Sequence, residues 1–201
     1  MRSLLKATAH GLATLVVLPN IISFLVRSRV LGRDRALEGS TQALAWLPGL
    51  VGVYLRGAFL ARSLDAFDRS ASVHFGTIFS QAGARIGPNV YVGPRCHLGL
   101  VHLERDVLLA AGVHVPSGMK THGTGDPSRP IRDQEGERTM VRIGEGTWVG
   151  SAAVVMADVG RHSVVAAGAV VTRALPDYVV AGGVPARVLK SREVPASTSA
   201  D

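Results

Sequence analysis

Residues 143–172 read IGEGTWVGSAAVVMADVGRHSVVAAGAVVT, and this stretch decides the fold. Within it an aliphatic residue, usually followed by Gly or Ala, recurs every six residues. This period fits neither an amphipathic helix nor a simple hairpin. It is typical of a parallel β-helix, in which each six-residue repeat forms one short side of a coil.

The same phase extends backwards along the chain and gives four sets of three aliphatic residues, as a coil with a triangular cross-section requires. The sets are Ile86, Val92 and Leu98; Leu103, Leu109 and Val115; Ile143, Val149 and Val155; and Val159, Val165 and Val171. Small residues follow most of these positions, which suits tight corners because Gly accepts backbone angles that a side chain forbids. The alternative is an ordinary Val-rich β domain, whose strands would show a period of two with regularly spaced turns.

A second row of small residues lies four positions after the first two members of each set. These residues are predicted to share the narrow interior: Val90, Cys96, Val107, Val113, Thr147, Ala153, Ser163 and Ala169. The composition agrees, because hydrophobic residues make up 47% of the 201 residues but aromatic residues only 5%. The single cysteine, Cys96, offers no disulfide framework and fits a reducing compartment.

An apolar run covers residues 11–26 and is followed by basic side chains, namely Arg27, Arg29, Arg33 and Arg35. With residues 7–10 the run approaches the ~20 residues that span a bilayer. The arginines would hold the following domain on the cytoplasmic side of the membrane. We expect membrane association, either spanning or interfacial; the alternative is a hydrophobic helix packed on the rest of the protein or on a partner subunit.

A second apolar region follows. Ser40 is a candidate N-cap for a helix over residues 41–47, Pro48-Gly49 would end it, and residues 50–61 could form another helix. These helices would cap the open end of the coil. The predicted organisation is a hydrophobic helical segment at 1–72, a coil domain at 73–192 and a flexible tail at 193–201.

A polar, Gly- and Pro-rich insert at residues 116–142 interrupts the coil and is predicted to be a loop. Long loops inside a compact repeat are usually functional. The insert contains His122, and a histidine at a loop base can serve as a general base because its ordinary pKa lies near neutrality.

Three features together resemble a known family: the coil at 86–172, the loop motifs PSGMKTHG (116–123) and DPSRPIR (126–132), and the tail AGGVPARVLK (181–190). Over about residues 73–192 the chain resembles the hexapeptide-repeat O-acetyltransferases, in particular the sugar- and polysaccharide-acetylating branch related to the galactoside, maltose and serine acetyltransferases. The resemblance implies an all-β, left-handed parallel β-helix. The left hand comes from the resemblance, since parallel crossovers are usually right-handed.

The resemblance also implies a reaction. In the family, a histidine deprotonates the acceptor hydroxyl, which attacks the thioester of acetyl-CoA directly. The matching position here is Lys120, and lysine is a poor base at neutral pH because its ordinary pKa is about 10.4. We therefore expect His122, two residues further on, to be catalytic, with His114 as the second candidate.

The acetyl-CoA contacts that the resemblance implies are Gly150, Ser151, Ala167, Thr172, Arg173, Arg187 and Lys190. Small residues would let the pantetheine arm lie along the coil, and the basic side chains of the tail would meet phosphates. A backbone N–H near Gly150 or Ser151 would bind the developing oxyanion. No metal is expected, and the family implies a homotrimer with the site between neighbouring coils.

Two other classes remain open. A zinc enzyme of the γ-carbonic anhydrase type would use three histidines, and the pair His97 and His102 invites this interpretation. A non-catalytic hexapeptide-repeat scaffold is favoured by Lys120, since fold alone does not fix function. Nucleic-acid binding has little support because the basic residues lack interleaved aromatic residues. The sequence thus predicts a membrane-associated, cytoplasm-facing enzyme that acetylates a sugar hydroxyl, on a lipid-linked or polysaccharide unit.

Overall fold

A computed structural model describes residues 2–192, with side-chain surroundings from Thr8 onward; the predicted tail at 193–201 lies outside the described residues. Three helices come first, and a coil of short parallel strands follows them. The helices are α1 (Arg2–Leu31), α2 (Arg33–Ala45) and α3 (Gly49–Ser63).

The strands form three sheets, each of which is one face of a triangular prism. The first sheet contains β1 (Ala66–Phe67), β4 (Arg85–Ile86), β7 (Val101–Leu103) and β10 (Val141–Ile143). The second contains β2 (Ser72–Val73), β5 (Tyr91–Val92), β8 (Leu108–Leu109), β11 (Trp148–Val149), β13 (Val164–Val165), β15 (Val179–Gly183) and β16 (Ala186–Ser191). The third contains β3 (Ile78–Phe79), β6 (His97–Leu98), β9 (His114–Val115), β12 (Val154–Val155) and β14 (Val170–Val171). This is a β-solenoid of about six coils.

The twelve predicted aliphatic positions line the interior, which confirms the phase of the repeat. Each of them is at most 2% exposed, and they stack from coil to coil through ladder bonds such as that from Gly150 N to Val165 O, 2.8 Å. The eight predicted small interior residues are buried as well, including Cys96 at 1% exposure. The core is therefore a narrow aliphatic column that leaves little room for aromatic rings.

The glycines of the repeat are needed for a different reason from the one expected. A Cβ on Gly150 would lie 2.5 Å from the backbone nitrogen of Ala167 on the next coil, so the demand is for space. The left-handed backbone angles fall two residues later, as at Asn89 (φ 56°) and Ala152 (φ 57°). Asn tolerates this region better than most residues with a side chain.

Helices α2 and α3 cover the first coil. Thr41 Oγ1 donates to the Phe79 carbonyl at 3.1 Å, and the Arg56 guanidinium donates to the Val73 carbonyl at 3.0 Å. The expected cap at Ser40 is wrong. This residue is buried inside α2, and its hydroxyl donates to the Ala36 carbonyl at 2.8 Å, while the helix begins after Gly32.

Helix α1 has two contrasting faces. One face packs on α2 and α3, with the rings of Phe24 and Phe59 5.7 Å apart. The other face exposes Leu12, Leu15, Val16, Leu18, Ile22, Leu25, Val26 and Val30. Among the described residues, Thr8–Leu31 is one helical segment long and apolar enough to cross a membrane; by length and composition alone this is weak evidence, because core helices and signal sequences share both properties.

The far end of the coil closes with a hairpin. Strand β15 continues the second sheet in parallel, and β16 turns back and pairs with it antiparallel, with Gly182 opposite Arg187 and Val180 opposite Lys190. The tail motif thus forms the last edge of the second sheet.

Candidate active site

Two histidines point outward from the third sheet. His97 on β6 and His114 on β9 are directly in register on successive coils, and their ring centroids are 6.0 Å apart. Their neighbours Leu98 and Val115 point inward and are fully buried, so the alternation of the strands fixes both histidines on the outer face.

The loop leaves the prism directly after β9, at the edge between the third and first sheets. Its two arms pair near their base: Thr139 N donates to Ser117 O at 2.9 Å, and Glu137 N donates to Lys120 O at 2.7 Å. The Ser117 hydroxyl accepts from Leu100 N at 2.9 Å, which ties the loop to the preceding coil. His122 lies just beyond this neck and is exposed.

The loop, the third sheet and the start of α2 enclose a cavity of about 870 Å³. It brings together His97, His114 and His122 with Arg138 from the returning arm of the loop. We call it the histidine cavity. Helix α2 and the residues before it form the opposite wall, with Leu31, Gly32, Arg33, Asp34, Arg35 and Glu38. The cavity is of the size that proteins use for small-molecule ligands.

Lys120 and His122 lie on different sides of the loop. Lys120 borders a second cleft, of about 450 Å³, together with Met119, Glu137 and Met156. Of these two residues, therefore, His122 is the one placed beside the third-sheet histidines.

Three of the residues expected to contact acetyl-CoA lie together on the edge between the second and third sheets. Gly150 and Ser151 follow β11 and Ala167 follows β13 one coil later; Gly168 N donates to Ser151 O at 2.8 Å. Ser151 and Ala167 are exposed. The Gly150 N–H is occupied by its ladder bond to Val165 O, so of the two N–H groups considered for an oxyanion only that of Ser151 remains a candidate.

The other four expected contacts fall in two places. Thr172 and Arg173 follow β14 at the edge between the third and first sheets, which is the edge the loop leaves. Arg187 and Lys190 are exposed on β16. One chain therefore does not bring all seven residues into one groove, because the third sheet separates the two edges.

Comparison with known proteins shows which proteins this chain is similar to. A family model described as the hexapeptide repeat of succinyl-transferase matches residues 140–173. The galactoside O-acetyltransferase of Escherichia coli is 27% identical over 163 residues, covering 71% of this chain and 80% of that protein. The chain thus carries a hexapeptide repeat and is similar to acetyltransferases that are built on this repeat.

Two further similarities show how far the likeness extends. A Mycobacterium tuberculosis protein named as an acetyltransferase is 41% identical over 81 residues; the match covers 39% of this chain and only 27% of that protein's length. The solved structure of galactoside acetyltransferase in complex with coenzyme A superposes with a TM-score of 0.61 at 21% identity, covering 80% of this chain and 82% of the other. At that identity the structure shows the fold of this hexapeptide-repeat protein, the left-handed parallel β-helix.

The zinc interpretation finds no support in the geometry of this chain. His97 faces outward from the third sheet, whereas His102 lies on β7 of the first sheet, in register with Arg85 and Arg142. Burial lowers the pKa of His102; Glu104 opposes this shift, and Arg142 and Arg85 add to it. Within the part of the chain that the structure describes, no three His, Cys, Asp or Glu side chains form a metal-binding group.

Sequence reasoning on this hexapeptide-repeat chain missed part of the histidine cavity. The position of His97 was open to prediction, since His97 and His114 both precede the third aliphatic residue of their sets and must stack. Arg138 and the wall from α2 carried no such signal, because no repeat relates them to the coil.

Proposed function

We propose that this protein transfers an acetyl group from acetyl-CoA to a hydroxyl of a sugar by direct transfer, with His122 as general base. The observation that carries the proposal is the histidine cavity, where the loop histidine lies beside an outward-facing histidine pair on a coil of the acetyltransferase fold.

The cavity supplies what the acceptor half of the reaction needs. His122 takes the proton of the acceptor hydroxyl, whose oxygen forms the new C–O bond to the acetyl carbon while the C–S bond breaks. The proton then passes to the departing sulfur and gives the free thiol, so atoms and charges balance without an acyl-enzyme. A positioned general base contributes about 10²- to 10⁴-fold in rate.

The donor side uses the two edges of the coil. Acetyl-CoA supplies the activated acyl group, and the exposed small residues Ser151 and Ala167 leave room beside the coil for its pantetheine arm. Arg187 and Lys190 are exposed and would meet its phosphates, and Thr172 with Arg173 would contact it from the loop edge. The galactoside acetyltransferase of similar fold was solved in complex with coenzyme A, which supports acetyl-CoA as the donor.

A homotrimer would reunite these two edges. If neighbouring coils pack side by side, the edge of one chain with Ser151 and Ala167 can face the loop edge of the next. An apolar column on the second sheet supports such packing: Tyr91, Leu108 and Trp148 are in register and 37%, 41% and 50% exposed. Exposed contiguous apolar surface commonly marks a protein or membrane contact.

The apolar outer face of α1 supports attachment to the inner face of a membrane. Because its other face packs on α2 and α3, the helix is best accommodated lying in the interface rather than crossing the bilayer. The arginines at its end favour anionic headgroups on the cytoplasmic side.

The test is free-thiol release from acetyl-CoA with a panel of sugars, comparing the wild type with His122→Ala. We expect turnover to fall by about 10²-fold or more while calorimetry still detects acetyl-CoA binding. His162→Asn is the matched control, since His162 stacks on Tyr178 outside the cavity and Asn tolerates its left-handed backbone.

Full activity of His122→Ala would overturn its role and direct attention to His114. Failure of the wild type to bind acetyl-CoA at millimolar concentration would favour the scaffold hypothesis. The observation that supports that hypothesis is that Lys120 borders the second cleft and does not line the histidine cavity.

A further inference from the structure

The wall that α2 contributes to the histidine cavity is held rigidly. Asp34 Oδ1 accepts from Ala82 N at 2.9 Å, and the Arg33 guanidinium meets Asp65 Oδ1 at 3.1 Å. Thr41 Oγ1 also bonds the Phe79 carbonyl. A helical segment outside the repeat is thereby fixed as part of the pocket, so it belongs to the binding surface as well as to the cap.

Two cations of this cavity remain uncommitted. Arg33 is neutralised by Asp65, and the Asp34 carboxylate is taken by a backbone N–H. Across residues 8–192 the structure gives no hydrogen bond or ion pair to the side chain of Arg35 or of Arg138, which line the cavity from α2 and from the loop. Guanidinium groups that converge on a pocket bind phosphate with paired hydrogen bonds.

The mouth of the cavity is continuous with the apolar face of α1. Leu31 lines the cavity and is the last residue of α1, and Val30 beside it is 80% exposed. A ligand with its polar end among the histidines would therefore run past the arginines and meet an apolar surface directly outside.

We infer that the histidine cavity takes a saccharide joined through phosphate to a membrane lipid, with Arg35 and Arg138 binding the phosphate linker. The inference rests on the proposed function and names its acceptor class. The sugar lies toward His122, His114 and His97, and the lipid chain leaves past Leu31 along α1. Glu38, on the same wall, is available to accept hydrogen bonds from sugar hydroxyls.

This arrangement explains why the apolar helix α1 ends directly at the histidine cavity. The break at Gly32, where φ is 84°, turns the chain from the lipid-facing helix straight into the cavity wall. An enzyme held in this way meets its acceptor in the plane of the membrane and its donor from the water.

The experiment measures binding of the full chain to phosphatidylcholine vesicles with and without a polyprenyl-diphosphate-linked N-acetylglucosamine. We expect tighter binding to vesicles that carry the saccharide lipid, and a loss of that gain by about tenfold for each arginine in Arg35→Ala and Arg138→Ala. Arg132→Ala is the matched control, because its side chain lies on the same loop, is 87% exposed and does not line the cavity.

Acetyl transfer separates this inference from the proposed function. With the saccharide lipid, a methyl glycoside and dTDP-glucose as acceptors, the saccharide lipid should be preferred, and the double arginine variant should lose most with it. Preference for the methyl glycoside or for dTDP-glucose, or equal losses with all three, would overturn the inference and leave the acetyltransferase intact. If vesicle binding depends on the arginines but no acceptor is acetylated, the saccharide lipid is supported as the ligand of the cavity and the proposed acetyl transfer is rejected.

Discussion

At the scale of single residues, Cys96 shows how the coil interior controls chemistry. It is 1% exposed, its thiol contacts the Ala110 carbonyl at 3.2 Å, and burial raises its pKa to about 11. Because the thiolate is the reactive form, we expect Cys96 of the folded protein to resist a thiol reagent such as DTNB at neutral pH. Absorbance of the released chromophore measures the reaction.

The denatured chain provides the control for this thiol. In strong denaturant one thiol per chain should react rapidly, since the sequence contains a single cysteine. Rapid labelling under native conditions would mean that the coil opens around β6 far more readily than its packing indicates.

At the scale of elements, Arg56 joins the helices to the coil. The residue is 2% exposed, and its guanidinium donates to the carbonyls of Leu44, Leu47 and Val73 at 3.0, 2.7 and 3.0 Å. Burial lowers its pKa. Arg56→Met should destabilise the protein by about 3 kcal/mol or more, since three carbonyls lose a charged donor. Urea unfolding measures the free-energy change.

Arg62→Met on the same helix is the control for that substitution. Arg62 is exposed, and its one hydrogen bond within the described residues goes to the Ala58 carbonyl of its own helix, at 2.8 Å. Its loss should therefore lower the free energy of unfolding by well under half as much. If the two variants lowered the free energy of unfolding equally, Arg56 would not join the helices to the coil in the way described.

The elements also show where sequence reasoning succeeds. The period of six correctly places all twelve aliphatic residues of its four sets in the interior, because each of these positions repeats the same environment. The helices have no repeat of this kind. Serine is often found at the N-cap of a helix, yet Ser40 lies inside α2 and its hydroxyl donates to the Ala36 carbonyl. Contacts such as Arg33 with Asp65 join residues far apart in the chain, so no local pattern encodes them.

The same limit applies to the candidate site at the scale of the whole molecule. The loop was recognisable by its composition and His122 by its chemistry, but its path beside His97 and His114 depends on the loop neck and on α2. The seven expected donor contacts are divided among three places on the coil, which a linear spacing cannot reveal.

Assembly gives the prediction at this scale. If the apolar column of the second sheet joins the subunits, Trp148→Asp should convert a trimer to monomers, as measured by analytical ultracentrifugation in a mild detergent. Acetyl-transfer activity should fall with it, because the donor and acceptor edges would no longer face each other.

Trp46→Asp is the matched control, since Trp46 is 77% exposed but lies at the helical cap, beside Phe75. A wild type that sediments as a monomer, or a Trp148→Asp protein that stays trimeric, would reject this interface.

The antiparallel hairpin of β15 and β16 and the helices over the first coil have one further consequence. A parallel coil offers an unpaired strand edge at each end, and a second molecule could in principle add its own rungs there. Here α2 and α3 cover the start, while β16 reverses direction along the last edge of the second sheet. We therefore expect these two caps to disfavour the end-to-end addition of coils that would build a filament.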